Sequence, residues 1–405
     1  MKILIVSQYF WPENFKINDL AAGLASEGND VTVLTGMPNY PQGEFFPGYS
    51  FWSPRKETWK GVRILRVPLI SRGKSTGIRL ALNYFSFAFF GSVLGPVVYR
   101  GRPGAILVYQ TSPITAALPA IIIKWLRKTP LYLWIQDLWP ESLSATGAIR
   151  APRILFLVGC LVRFIYKQCD WLLSQSRSFN SSIVEYGGRP DRIVYFPNSA
   201  EENYRSSVQI TAEECSGLPP GFKIMFAGNI GVAQDFETIL DAAELTKPEA
   251  RIQWIILGEG RRLSWVKQQI ISRNLEHTVF LLGSFPVERM PEFFSAADIM
   301  LVSLKREPIF ALTMPAKTQS YLAAGKPILA SLDGEGAEII KEAKAGIAVP
   351  AGSPNKLAEM AIRLSRMNKE QLLELGRNGR LYFETHFERS LLLNQLLALL
   401  HRNQS

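Results

Sequence analysis

Short apolar runs recur along the chain, separated by stretches long enough for a helix. In the first half they read "KILIVSQ", "DVTVLTG", "VRILRVPL", "AILVYQ", "LYLWIQD", "DWLLSQS" and "IVYFPN". Most are apolar throughout instead of alternating, which is the pattern of strands covered on both faces of a parallel sheet. Intervening segments such as "INDLAAGLASEG" and "RSFNSSIVEYG" end in glycine, a common helix stop. The spacing predicts a Rossmann-like domain over residues 1–205. After "FPNSAEENYRSS" the chain is polar and patternless until "GLPPG", so 206–221 reads as a linker. Alternation restarts with "FKIMFAGN", "IQWIILGEG", "VFLLGS", "IMLVSL", "PILASL" and "GIAVP", predicting a second Rossmann-like domain over 222–385. Two amphipathic helices close the chain, the last within 386–405 and able to pack back on the first domain.

The 405 residues exceed one ordinary hydrophobic core and suit two, and 47% hydrophobic with 20% charged residues describes a chain that folds. Cys160, Cys169 and Cys215 form no C-x-x-C pair and read as buried free thiols. His277, His386 and His401 all lie in the second half, which argues against a histidine metal site and against a histidine base in the first half. Charge is uneven: residues 1–200 hold 22 Lys and Arg against 11 Asp and Glu, and the remainder hold 23 against 24. An anionic membrane surface or a nucleic acid would complement the basic half. The opening "MKILIVSQYF" reads as a buried strand and not a secretory leader, which places the protein in the cytosol. Residues 80–99, "LALNYFSFAFFGSVLGPVVY", carry no charge between Arg79 and Arg100 and have the length of a membrane span. Their polar and helix-breaking residues and their place in the alternation favour a helix, either buried or dipping into the bilayer surface.

In open parallel sheets, ligands bind beyond the carboxyl ends of the strands. In the second domain those ends carry "GNIGVAQD", "GEGRR", "GSFPVE" and "KREPIFALTMPAK". The glycines Gly228 and Gly258 allow close backbone approach to a phosphate or nucleobase. A helix starting after Pro315 offers unpaired N–H groups and partial positive charge, to which Lys317 adds a full one. A diphosphate suits this place, with main-chain N–H groups of Thr313 and Met314, and the amides of Asn229 and Gln234, as further donors. In the first domain, Asp137 follows a buried strand, where it serves as helix cap, hydroxyl orienter or proton acceptor. Trp139 offers a face for a sugar ring, and Gln8, Phe10, Asn14 and Asn18 follow the first strand as a mixture suited to a ring with many hydroxyls.

"SQYFWPENFKINDLAAGLASEGNDVTVLTGMPNYPQG", "IQDLWPES", "FAGNIGVAQDFETILDAA" and "LTMPAKTQSYLAAGKPILA" together resemble the large retaining glycosyltransferase family 4, and within it the N-acetyl-L-fucosaminyl transferases of bacterial surface-polysaccharide clusters. The resemblance runs over nearly the whole chain. It implies the GT-B fold, two tandem Rossmann-like domains facing each other across a cleft with C-terminal helices. It also implies a UDP-linked donor sugar, first choice N-acetyl-L-fucosamine, held by the second domain. An acceptor held by the first domain is also implied, and that domain's basic charge and apolar stretches point to a saccharide on a lipid diphosphate such as undecaprenyl diphosphate, at the inner face of the bacterial cell membrane. Neither metal nor other cofactor is expected. Asn229 and Gln234 stand where most of the family has arginine and lysine, and Leu312 and Ser320 where it has two glutamates. Lys317 is thereby the chief cation expected on the phosphates, with Asp137 and Lys317 as the catalytic pair. Gly228, Gly258, Phe285, Leu312, Thr313, Met314 and Ser320 complete the expected donor site. Three other readings are poorer. A nucleic-acid binder would need exposed aromatic or basic reading elements, and a dinucleotide oxidoreductase would need G-x-G-x-x-G after its first strand. An epimerase on the same scaffold would keep the donor pocket but require no acceptor.

Overall fold

The computed structural model describes residues 1–52, 56–73, 77–145, 147, 149–200 and 217–402. Most of the linker expected over 206–221, and Cys215 with it, lies outside the described residues. Two compact units emerge, Met1–Pro197 with Leu392–Ser405, and Asn198–Leu391.

The first unit is built on an eight-stranded sheet in the order β3-β4-β2-β1-β5-β6-β7-β8. Its strands are β1 (Lys2–Val6), β2 (Asp30–Gly36), β3 (Lys56–Trp59), β4 (Val62–Val67), β5 (Ala105–Gln110), β6 (Leu131–Ile135), β7 (Trp171–Ser174) and β8 (Ile193–Tyr195). All pair in parallel except β3, which runs antiparallel to β4. Burial explains the unalternating pattern: every residue of β5 and β6 is buried. Helices α1 (Lys16–Ser26), α2 (Gly77–Val98), α3 (Leu118–Arg127), α4 (Glu141–Ala145), α5 (Pro152–Gln168) and α6 (Asn180–Glu185) connect them. The terminal helix, Arg389–His401, adds Leu392, Leu393, Leu396 and Leu400 to the cluster of Ile3, Ile5 and Ile17. Each such leucine contributes about 1.5–3 kcal/mol, which holds the helix on the first unit, and the Tyr132 hydroxyl adds a bond to Leu399 O at 3.4 Å.

The apolar stretch 80–99 forms most of α2, a helix long and apolar enough to cross a membrane. One face packs into the unit through Asn83, Ser86, Phe87, Ala88, Gly91 and Gly95. A Cβ on Gly91 would stand 2.6 Å from Pro119 of α3, and one on Gly95 would stand 2.8 Å from Leu34 of β2. Those glycines let the helix lie close, while Ile78, Leu82, Phe85, Phe89, Val93 and Val97 remain exposed on the other side. Cys160 on α5 is exposed, contrary to the buried-thiol reading, because it falls on the outward face of that helix.

The second unit has a six-stranded parallel sheet in the order β11-β10-β9-β12-β13-β14. Its strands are β9 (Phe222–Ala227), β10 (Ile252–Leu257), β11 (Val279–Gly283), β12 (Ile299–Ser303), β13 (Ile328–Ser331) and β14 (Gly346–Val349). Its helices are α7 (Phe236–Leu245), α8 (Leu263–Ser272), α9 (Met290–Ala296), α10 (Pro308–Leu312), α11 (Ala316–Ala323), α12 (Glu335–Glu342), α13 (Pro354–Ser365) and α14 (Lys369–His386). Strand order reverses between β1 and β5 in one sheet and between β9 and β12 in the other. The loops following these strands are the ligand-binding positions of such sheets.

Candidate active site

In the second unit, the loop after β9 and the loop after β10 are pressed backbone to backbone. Gly228, Gly258 and Gly260 have φ of +142°, +139° and +157°. A Cβ on Gly258 would lie 1.9 Å from the Gly228 carbonyl oxygen, and one on Gly260 would lie 2.3 Å from that of Ile230. The Ile230 N–H donates to Glu259 O at 2.7 Å and the Gly228 N–H to Leu257 O at 2.9 Å, which locks the pair. Alanine at Gly258 combines a backbone clash with an unfavourable φ. Gly258→Ala is therefore expected to cost about 3 kcal/mol, read as a lower denaturant midpoint at unchanged slope.

Under these loops lies Lys317, in the first turn of α11. Its Nζ is shielded from solvent, has no hydrogen-bond partner among the described residues, and sits 3.6 Å from the centre of the Phe226 ring. A Cβ on Gly228 would approach Nζ to 3.1 Å, so glycine there leaves the amine room. Burial pushes the amine down to about 7 from its ordinary 10.5. A solvated surface lysine would show neither this shielding nor this shift. The helix start adds the N–H groups of Ala316 and Lys317, which have no acceptor in a preceding turn. Tyr321, one turn after Lys317, fastens α11 to β9: the Ala227 N–H donates to its hydroxyl at 3.1 Å and the hydroxyl donates to Ala227 O at 3.2 Å.

Several expected donor contacts change. The Thr313 N–H is already committed to Phe310 O at 3.3 Å, because residues 308–312 form the short helix α10 that the sequence reading took as loop. Gln234 braces its own loop, its Oε1 accepting the Gly231 N–H at 3.1 Å, so only its amide nitrogen is left for a ligand. Ser320 is buried and its hydroxyl turns back on Ala316 O at 3.4 Å. Asn229 is exposed, Met314 is buried with its side chain in the unit, and Leu312 is half-buried at the end of α10. Phe285, after β11, is half-buried against Phe293, with ring centres 4.4 Å apart.

In the first unit, Asp137 follows β6. Ser112, after β5, donates to its Oδ2 at 2.5 Å, and the Trp139 indole N–H donates to the same Ser112 oxygen at 3.0 Å. Burial raises the Asp137 carboxyl above the ordinary aspartate range, opposed by hydrogen bonds from Ser112, Ser142 and Trp139. Trp139 is largely buried and acts as a prop for Ser112, not as an open platform for a sugar. Phe10 is fully buried in the core and cannot meet an acceptor; its run of apolar neighbours carried it inward. Gln8 is also buried, its amide donating to Asn83 Oδ1 at 2.7 Å. Asn18 is tied by its amide to Glu13 O at 2.7 Å, and Asn14 is exposed.

Sequence reasoning passed over a network at the ends of β1, β2 and β4. Glu13 is buried, accepts N–H bonds from Phe10 (3.2 Å), Asn39 (2.8 Å) and Tyr40 (2.8 Å), and is pushed up to about 7 by burial. Arg72 donates to the Tyr9 hydroxyl at 3.2 Å, and Asn83 bridges Asn39 and Ile70. Tyr84 on α2 stands beside Trp139, with ring centres 6.5 Å apart. These residues come from separated loops and from α2, and only the fold brings them together.

Known proteins match this arrangement. Residues 15–199 match the family described as "Glycosyl transferase 4-like domain" and residues 221–367 match "Glycosyl transferases group 1". The chain is 27% identical over 324 residues to the "Probable glycosyltransferase WbjE" of Pseudomonas aeruginosa, covering 78% of each chain. It is 26% identical over 341 residues to the "Putative colanic acid biosynthesis glycosyl transferase WcaI" of Escherichia coli strain K12, covering 80% of this chain and 82% of that one. Among solved structures, Anabaena Alr3699/HepE in complex with UDP superposes with a TM-score of 0.68 at 15% identity, over 99% of this chain and all of the other. The chain is a glycosyltransferase of GT-B fold, in which a glycosyl transferase 4-like domain precedes a group 1 domain.

Proposed function

We propose that the second unit binds a nucleoside diphosphate sugar, with its diphosphate at the start of α11 against Lys317. The observation that carries this reading is the buried Lys317 amine with no partner among the described residues. A cation shielded from water costs free energy until an anion meets it, and a diphosphate supplies one. UDP is the first choice of nucleotide, because a protein of similar fold holds it, and N-acetyl-L-fucosamine is the first choice of sugar. Leu312 near the sugar suits a ring with fewer hydroxyls. The acceptor is a saccharide on a lipid diphosphate, and the product serves bacterial surface-polysaccharide or O-antigen synthesis.

In the reaction the bond from the anomeric carbon to the diphosphate breaks and a bond to the acceptor oxygen forms on the same face. The acceptor proton passes to the departing diphosphate, whose growing charge Lys317 and the helix start stabilise. Asp137 orients the acceptor hydroxyl, and the chain's own cations make a metal unnecessary. A thermal-shift panel of UDP, GDP, ADP and dTDP tests the donor. A nucleotide at about 100 times its Kd stabilises by about 2.7 kcal/mol. UDP is expected to raise the melting temperature of the native protein and not that of Lys317→Ala. No shift with any of the four would remove the donor assignment.

The enzyme works at the cytoplasmic face of the membrane, docked through the first unit. Exposed Phe85 and Phe89 of α2, Trp125 and Leu126 of α3, and Phe156 and Leu157 of α5 lie on helices that pack in sequence, α2 on α3 and α3 on α5. No acidic residue occurs between Glu57 and Asp137 or between Glu141 and Asp170, whereas Arg79, Arg100, Lys128 and Arg153 lie there. Apolar side chains with cations and no acids complement an anionic leaflet. Phe85→Glu with Phe156→Glu is expected to reduce co-sedimentation with phosphatidylglycerol vesicles at least tenfold while leaving UDP binding intact. Unchanged sedimentation would show that this face does not dock.

A further inference from the structure

We infer that Arg72 forms an anion subsite for the diphosphate of a prenyl-linked acceptor, a second phosphate site built from different residues than the one at Lys317. This rests on the lipid-diphosphate acceptor read above. Two arginines, Arg66 near the end of β4 and Arg72 in the loop that follows it, show the contrast that points to it. Arg66 is fully satisfied: its guanidinium pairs with Glu57 at 3.1 Å and donates to Gly36 O at 3.0 Å and Trp11 O at 2.6 Å. Arg72 has no acidic partner among the described residues, and its Nε is shielded from solvent without any acceptor.

Its position is nevertheless fixed. The guanidinium lies 4.9 Å from the centre of the Tyr40 ring and 5.6 Å from that of Tyr9, donates through Nη1 to the Tyr9 hydroxyl, and is anchored by its main-chain N–H to Asn39 Oδ1 at 3.0 Å. Glu13, the carboxylate of the same network, gives its oxygens to main-chain N–H groups and does not bond Arg72. A guanidinium held between aromatic faces with donors unspent is set for a phosphate oxygen, which it can meet with two parallel N–H bonds.

What the anion is attached to follows from the neighbours. The Tyr84 phenol feels the charges of both Arg72 and Asp137, so it lies within electrostatic reach of the cation and of the carboxylate that orients the acceptor hydroxyl. Beside Tyr84 on α2, Leu82 and Phe85 are exposed members of the apolar stripe. Tyr84 thus connects Arg72 to the Asp137 site, through Trp139 and the Ser112 that both Trp139 and Asp137 bond, and along α2 to the apolar helix face. That order matches a sugar, a diphosphate and a prenyl chain.

Calorimetric titration of the full chain, with saturating UDP present to fill the nucleotide site, tests this with farnesyl diphosphate, farnesol and inorganic pyrophosphate as probes. The wild type is expected to bind farnesyl diphosphate at least tenfold more tightly than farnesol or pyrophosphate. Arg72→Gln is expected to lose at least tenfold of that affinity, Arg72→Lys to recover part of it, and both to bind UDP as the wild type does. Unaltered farnesyl diphosphate binding in Arg72→Gln would overturn the inference, as would equal affinity for pyrophosphate, which would leave only a free-anion site. Parallel loss of UDP and farnesyl diphosphate binding in both variants would show that Arg72 only holds the fold. Absence of UDP binding in the wild type would fall on the donor reading instead, and the farnesyl diphosphate titration stands without it.

Discussion

Lys317→Ala is expected to lower kcat/KM about a hundredfold, a loss of ~2.7 kcal/mol of transition-state stabilisation. The bond to the diphosphate cannot break without placing charge where the Lys317 amine and the first turn of α11 lie. The more discriminating change is Lys317→Met, which keeps the apolar stem over Phe226 and removes the amine. Activity is expected to fall as in the alanine variant while the melting temperature rises. The sign follows from the lowered pKa of about 7. Between that value and the ordinary 10.5, the unfolded chain holds a proton that the folded chain does not, so the wild type gains stability as pH rises through this window. The stabilising effect of methionine is therefore greatest below about pH 7 and fades toward pH 10. A lysine that merely braced the fold would give the opposite: lower melting temperature together with lower activity.

Asp137→Asn is expected to lower kcat about a hundredfold with the donor KM unchanged, since a positioned base or hydroxyl orienter contributes on that scale. Asparagine keeps the shape and can still accept from Ser112, so the loss reports the charge and not the packing. Because burial raises the Asp137 carboxyl, the acid limb of the wild-type pH–rate profile should lie above the ordinary aspartate range. By the same sign, the folded protein holds that proton more firmly than the unfolded chain. Stability from this group is present below the unfolded value and lost as pH rises through the folded one, so the variant should be no less stable at neutral pH. Unchanged kcat would remove Asp137 from the reaction.

The strands were legible in the sequence because buried parallel strands write themselves as unbroken apolar runs, as in "AILVYQ" and "LYLWIQD". Hairpin strand β3, "KETW", was missed because it is an edge strand with alternating exposure and little apolar signal. Lys317 was legible from its place after Pro315 at a helix start. Its burial was not, since it depends on Tyr321 drawing α11 against β9. Phe10 was misassigned because an aromatic beside amides looks the same in sequence whether it faces the core or a ligand. The Glu13, Asn39, Arg72 and Asn83 network stayed hidden because its members are far apart in the chain and each is ordinary alone. A cation lacking its acid is visible only when the neighbours are placed, as the contrast of Arg66 and Arg72 shows.

Proton uptake on UDP binding, measured by calorimetry at pH 8 in buffers of different ionisation enthalpy, bears most directly on the claim that Lys317 awaits a diphosphate. At that pH the nucleotide is fully ionised, its phosphate pKa being about 6, and the buried amine is mostly neutral. The wild type is expected to take up close to one proton as the diphosphate converts the amine to ammonium, and Lys317→Met to take up none while binding UDP more weakly. Wild-type binding without proton uptake, or equal UDP affinity in the two proteins, would contradict the assignment.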